Sequence, residues 1–225
     1  MPARIRVSPL REYLRQANRA QEDIEHERAL VSTAAGSYKA VAYLGPLSLH
    51  SVNSDANASL PSGIIAARRA YPRAYFKAGH MINACFGGNG QRSNNLTILT
   101  GSANTSMTSR DNRVKDALRE LYRLFSAFQS AKIALQDIGR CRIRLEVRVS
   151  RNKWGANTPD SYITNRVYVR ATFQNNPADR SAVIRDTLRS RAAHVNDIDD
   201  LQDRIDNLLT QASGTISNRN TGRYT

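Results

Sequence analysis

A chain of 225 residues can bury one substantial core, and its 40% hydrophobic and 23% charged residues are those of a globular protein rather than a disordered one. The imbalance is in sign: 33 Lys and Arg stand against 19 Asp and Glu, a net charge of +14, and such a field draws polyanions and speeds their encounter. Two cysteines, Cys85 and Cys141, exclude a disulfide framework or a zinc cage, and no apolar run reaches the roughly twenty residues that a membrane span needs.

In chain order, Ser8-Pro9 reads as an N-cap followed by an N1 proline, and Leu10, Tyr13, Leu14, Ala17 and Ile24 predict a long helix reaching about Val31. Its apolar stripe is thin, which suits a helix packed loosely on the body or docked on a partner such as a delivery component. Tyr38, Val41, Tyr43, Leu44 and Leu47 around Gly45-Pro46 predict a strand and a turn. Ser51 to Gly63, rich in Ser, Asn and Ala, reads as a loop. The aromatic residues of Tyr71-Pro72-Arg73-Ala74-Tyr75-Phe76 favour a strand running into Gly79-His80, and Asn95 to Leu99 supplies an opposing strand.

Val114, Leu118, Leu121, Phe125, Phe128 and Leu135 recur at helical spacing, which predicts a helix starting near Asn104 or Ser109, with Gly139 at its C′ position. Cys141, Ile143, Leu145, Val147 and Val149 then alternate with Arg142, Arg144, Glu146, Arg148 and Ser150, a strand with one buried and one charged face. Arg166 to Phe173 alternates again and predicts an antiparallel partner in the central sheet. The outward arginines either extend a phosphate-binding face or are simply solvated. Asn176-Pro177 opens a helix with Val183, Ile184 and Leu188; Asn196 caps another with Ile198, Leu201, Ile205, Leu208 and Leu209 on one side. Asp197, Asp199, Asp200 and Asp203 read as complements of that helix's positive end rather than as a metal site. The polar tail from Gly214 to Thr225 is expected to fray. The fold class is α+β, an antiparallel sheet with flanking helices, organised as a helical appendage over 1–35, a core over 36–175 and a C-terminal helical segment over 176–225.

One stretch concentrates the chemistry. Lys77-Ala78-Gly79-His80-Met81-Ile82-Asn83 is followed by Phe86-Gly87-Gly88-Asn89-Gly90 and by Asn95-Leu96-Thr97-Ile98-Leu99-Thr100-Gly101-Ser102-Ala103-Asn104. Taken singly, the glycines are a turn, the asparagines are turn or cap residues and Cys85 is a buried thiol. Together on a basic chain they suit phosphodiester hydrolysis, which needs a water deprotonated in line with the leaving oxygen, and a histidine titrating near neutrality can take that proton.

In that order the residues resemble the DNA/RNA non-specific endonucleases of the ββα-metal (His-Me finger) superfamily, particularly bacterial toxin versions that read roughly Gly-His-Leu-Leu-Asn, a Gly-Gly turn, Asn-Leu-Thr-Pro-Leu and a later Ala-Asn. The matching positions are Gly79, His80, Asn83, Gly87, Gly88, Asn95, Leu96, Thr97, Leu99, Ala103 and Asn104. Departures are Ile98 in place of Pro, Lys77-Ala78 in place of Asp-Arg, Met107 where toxin relatives often carry a second His, and Asn112 where a Glu is common. The resemblance implies a ββα-metal core, His80 as general base, and Asn104 as the residue that holds Mg²⁺ or another divalent metal. Mg²⁺ takes hard oxygen ligands and keeps several waters, so one amide carbonyl is enough protein.

Asn83, Asn95 and Asp111 are the expected supporting residues. Lys77 and Arg92 bracket the motif as candidate contacts to DNA and/or RNA phosphates, which position a substrate without reading its sequence, while Arg110 and Arg113 beside Asn104 either do the same or are a solvated ladder on the helix. A toxin relative further implies an acidic immunity protein as inhibitor, and synthesis in a bacterial cytoplasm with export by a dedicated apparatus, since no cleavable signal peptide opens the sequence. The alternative is a nucleic-acid-binding or assembly protein that keeps the fold without the chemistry.

Overall fold

The computed structural model describes residues 25–28, 38–46, 48, 63–90, 95–130, 141–151, 163–174 and 195–218. Along the chain these form strands β1 (Glu25–Arg28) and β2 (Tyr38–Leu44), helix α1 (Ile64–Ala70), strands β3 (Lys77–His80) and β4 (Leu96–Leu99), and the long helix α2 (Gly101–Ser130). Strands β5 (Arg142–Arg151) and β6 (Thr164–Gln174), helix α3 (Val195–Ala212) and strand β7 (Gly214–Ser217) follow. The fold is α+β. One five-stranded sheet in the order β1-β2-β5-β6-β7 is antiparallel throughout, and β3 and β4 form a separate two-stranded antiparallel sheet.

Alternation along the strands decides which face of the large sheet is inward. Ala40, Ala42 and Leu44 of β2, Ile143, Leu145, Val147 and Val149 of β5, and Val167, Val169 and Ala171 of β6 all enter one apolar core. Two helices close over that face: Val114, Leu118, Leu121 and Phe125 from α2, and Leu201, Ile205 and Leu209 from α3. These residues recur every three or four positions, so each helix turns one stripe to the sheet, and each fully buried Leu or Phe contributes about 1.5–3 kcal/mol. A smaller cluster of Ile64, Ala67, Ala74, Phe76, Ile98 and Ile163 seats α1 against the two-stranded sheet.

Three expectations are corrected. The long N-terminal helix does not extend to Val31, because Glu25–Arg28 pairs as a strand with β2, Glu25 opposite Val41 and Arg28 opposite Tyr38. Backbone pairing on the edge of β2 satisfies donors and acceptors there and overrides local helix propensity. The strand expected over Tyr71–Phe76 begins only at Lys77. Pro72 opens a single 3₁₀ turn over Pro72–Ala74, as a residue with fixed φ and no N–H does, and the aromatic rings of Tyr71 and Phe76 pack edge to face with centroids 6.5 Å apart. The C-terminal segment does not fray at Gly214: β7 pairs with β6 from Val169↔Gly214 to Arg166↔Ser217.

Helix α2 begins at Gly101, earlier than Asn104 or Ser109, because the Thr100 hydroxyl accepts from Ala103 N at 3.3 Å and caps the first turn. The β5–β6 strands stand where alternation placed them, and α3 starts at Val195, which makes Asn196 its second residue rather than its cap. The start of the N-terminal helix, the Ser51 loop, the helix after Asn176 and the segment from 131 to Gly139 lie outside the described residues. Among those described, no helix is long and apolar enough to cross a membrane.

Candidate active site

The two-stranded sheet runs straight into α2, so a β-hairpin and a helix N-terminus share one corner of the molecule. Lys77 pairs with Leu99, Gly79 with Thr97 and His80 with Leu96. Beyond His80 the ladder continues through a side chain. Asn95 is fully buried; its Oδ1 accepts from Ile82 N at 2.9 Å, and its Nδ2 donates to Ile82 O at 2.9 Å and Asn89 O at 3.3 Å. Met81 N also donates to Asn95 O at 2.8 Å. Every polar atom of that amide has a partner, so Asn95 is scaffold, as buried amides generally are.

The glycine turn fits under this clamp. A Cβ on Gly88 would stand 1.8 Å from Ile82 O and 2.9 Å from Asn95 Nδ2, so only glycine passes, while Gly87 has φ 86. Asn83 caps the short 3₁₀ turn over Ala84–Phe86 by accepting from Cys85 N at 3.1 Å, and its Nδ2 donates to Asp111 Oδ2 at 2.8 Å. The loop after His80 is thereby tied to α2 at one carboxylate.

His80 closes β3 and is half-buried; loss of solvation lowers its pKa from the ordinary 6.5. A neutral imidazole over the physiological range follows, which is the state a general base requires. Asn104 ends the first turn of α2 and is also half-buried. Its amide oxygen is placed by the space left at Gly79. A Cβ at Gly79 would meet Leu99 Cδ1 at 2.4 Å, Leu99 Cγ at 3.0 Å and Asn104 Oδ1 at 3.4 Å. A side chain at 79 would therefore run into Leu99, while the Asn104 amide oxygen stands at ordinary contact distance from that same side of the Gly79 backbone.

Asp111 follows about two helical turns along α2 from Asn104. It is 8% exposed, and burial pushes its carboxyl up to about 6, against the opposing pull of the Asn83 hydrogen bond and the Lys115 charge. Burial likewise raises the Cys85 thiol to about 11, Lys115 opposing and the Asp111 charge adding, which leaves Cys85 a poor nucleophile.

The expected phosphate contacts divide. Lys77 and Arg113 are exposed on β3 and α2, and Arg92 lies outside the described residues. Arg110 is occupied by the protein itself. Its guanidinium donates to Ala212 O at 2.8 Å, to Ser213 O and to Thr215 O at 3.5 Å, and sits over Gly214. The last carbonyls of α3 have no donors within their own helix, and Arg110 supplies them from the neighbouring one.

Two residues central to this corner had no sequence signal. Asn218 is fully buried, accepts from Thr100 N at 2.7 Å through Oδ1, and donates to Ile98 O at 3.2 Å and Thr164 O at 2.6 Å through Nδ2. It ties β4, the α2 N-terminus and β6 together, beside a contact between the Thr97 and Thr164 hydroxyls. Tyr75 has φ 47, a left-handed backbone rare for tyrosine, and is 79% exposed two residues before Lys77.

Among the described residues no three or more His, Cys, Asp and Glu converge as a metal cage. The Asn104 amide oxygen of this half-buried residue is a neutral, hard donor of the kind a largely hydrated Mg²⁺ takes. Comparisons with family models, with curated proteins and with solved structures find no match.

Proposed function

We propose that this protein is a metal-dependent, largely sequence-non-specific endonuclease that hydrolyses phosphodiester bonds of DNA and/or RNA, built on a ββα-metal core. The observation that carries the reading is the Asn104 amide oxygen 3.4 Å from where a Gly79 Cβ would stand, Gly79 preceding His80 in sequence. The hairpin leading directly into α2, the desolvated imidazole and the net charge of +14 support it.

His80 accepts the proton of the attacking water as the new oxygen–phosphorus bond forms and the bond to the leaving oxygen breaks, a contribution of about 10²–10⁴-fold in rate. Asn104 is the ligand that seats a divalent ion; when bound, that ion offsets the negative charge growing on the phosphoryl and leaving oxygens. Lys77 and Arg113 hold the flanking phosphates, and Asn95, Gly88 and Asn218 keep the corner rigid. A nuclease of the toxin type requires an inhibitor in its producer, and an acidic immunity protein suits this positive field.

A second reading, nucleic-acid binding without cleavage, is favoured by one pair of observations. Met107 is 4% exposed within the apolar core, and Asn112 is exposed with its Oδ1 turned to Lys115 Nζ at 3.4 Å, so neither position supplies the His or Glu that relatives use. Incubation with supercoiled plasmid separates the readings. Nicking and linearisation with Mg²⁺, abolished by EDTA and by His80→Ala, are expected; an intact plasmid across Mg²⁺, Mn²⁺ and Ca²⁺ leaves only the binding protein.

A further inference from the structure

The face of the large sheet turned away from the core is basic in a way the candidate active site does not use. Strands β5 and β6 alternate, so the residues between the core positions point outward: Arg142, Arg144 and Arg148 from one strand, Arg166 and Arg170 from the next. The register sets Glu146 opposite Arg170 and Arg148 opposite Tyr168. Arg148, Arg166 and Arg170 are exposed.

A single carboxylate from these two strands, Glu146, lies among them, and it is neutralised where it stands. Arg144 Nη2 reaches its Oε2 at 2.5 Å and Arg148 Nε its Oε1 at 2.6 Å, and these contacts hold its carboxyl below the usual range despite burial. The acid organises the arginines without cancelling the field.

Aromatic surface is interleaved with this charge. Tyr168 is 39% exposed between Arg166 and Arg170, and the guanidinium of Arg142 lies 4.0 Å from the ring centroid of Tyr43. Same-face residues repeat about 7 Å along a strand and about 5 Å across strands, close enough for successive phosphates of one extended chain. Cations that track a backbone, with a ring offered to the bases, are the usual elements of single-strand binding.

The hairpin residues Met81, Ile82 and Leu99 belong to the core under the opposite face, so the strip and His80 lie on different sides of the sheet. We propose that the outer face of β5–β6 is a binding surface for single-stranded nucleic acid, separate from the cleavage corner, which holds substrate on the protein between cuts. Recognition is by backbone charge and stacking, without sequence readout.

The proposal builds on nucleic acid as substrate but does not require the cleavage chemistry, so its test runs in EDTA, where no cutting occurs. Anisotropy of a labelled deoxythymidine 20-mer is titrated with the full chain and with Arg166→Gln/Arg170→Gln at several salt concentrations. The double variant is expected to bind about tenfold more weakly at moderate salt, with the slope of log K against log salt reduced by about 1.4, two single-strand phosphate contacts. Tyr168→Ser is expected to weaken binding several-fold with the slope unchanged. Unaltered affinity and slope in the double variant, with its melting temperature intact, would overturn the proposal. So would displacement of the oligonucleotide by polyglutamate of equal charge at equal concentration, which would assign the strip to an acidic protein surface instead. Plasmid cleavage with Mg²⁺ is read separately, so loss of one activity does not imply loss of the other.

Discussion

Asn95, just before β4, and Asn104, nine residues on in the first turn of α2, show the same side chain in two opposite settings. Asn95 is fully buried, with both ends of its amide bound to the backbone of Ile82. Asn104 is half-buried, and its amide oxygen lies 3.4 Å from where a Cβ on Gly79 of β3 would stand. Asn95 at the floor of the corner is saturated with hydrogen bonds; the half-buried Asn104 at its rim is the proposed ion ligand. The proposed ligand role goes to Asn104 rather than Asn95 because a saturated amide has nothing left to offer a ligand.

That contrast breaks most sharply in paired substitutions. His80→Ala is expected to reduce cleavage by about 10²–10⁴-fold, equivalent to about 3–5 kcal/mol in the barrier, with melting temperature unchanged. Asn95→Ala should act the other way: it strands the buried N–H and C=O of Ile82, costs about 2–5 kcal/mol of stability and removes activity only by removing the fold, as urea titration followed by circular dichroism will show.

Asp111 sharpens the comparison through pH. Its carboxyl titrates at about 6 in the folded protein against 3.8 for the free group, so the native state holds this proton more tightly than the unfolded chain does. The favourable contribution is complete below about pH 3.8 and is lost as pH rises through about 6. Asp111→Asn keeps an acceptor for Asn83 and has nothing to ionise, and it should stabilise the protein by about 1–3 kcal/mol at pH 8, the gain vanishing near pH 4 in melting curves. Burial acts on His80 in the opposite sense, so the acid limb of the cleavage profile should fall below pH 6.5. A limb above 6.5 would remove His80 as the titrating base.

Arg110 and Arg113 give the smallest effects. Arg110→Ala is expected to cost about 1–2 kcal/mol of stability by leaving the α3 carbonyls without donors, and to leave DNA affinity in place. Arg113→Ala is expected to lower affinity at unchanged stability. Calorimetry beside a salt-dependent binding curve separates them, and an exchange of roles would undo the assignment of Arg110 as a clamp.

Local patterns are legible in the sequence and distant partnerships are hidden. Alternation from Cys141 to Val149 and the helical repeat from Val114 to Phe125 are written in consecutive residues, and the structure places both where those periods require. The hairpin is legible from Gly79-His80 and Leu96 to Leu99 for the same reason. Asn218 is not, because its partners Ile98 and Thr100 lie about half the chain away and a lone asparagine in a polar tail reads as solvent-exposed. Arg110 carries no mark to distinguish it from Arg113, since what separates them is the end of α3, roughly a hundred residues later. The strand at Glu25–Arg28 reads as helix because the partner that makes it a strand is β2, and local propensity does not contain that pairing.

The most direct test of the proposed roles of His80 and Asn104 is a Mg²⁺ titration of plasmid cleavage by the parent protein, His80→Ala and Asn104→Ala. The expected result is that Asn104→Ala needs a higher Mg²⁺ concentration to reach its half-maximal rate, while His80→Ala keeps the parent midpoint, loses rate at every concentration and regains part of it with added imidazole. Parent protein that never cuts above the EDTA blank, or a His80→Ala protein that cuts as fast as the parent, would contradict the account.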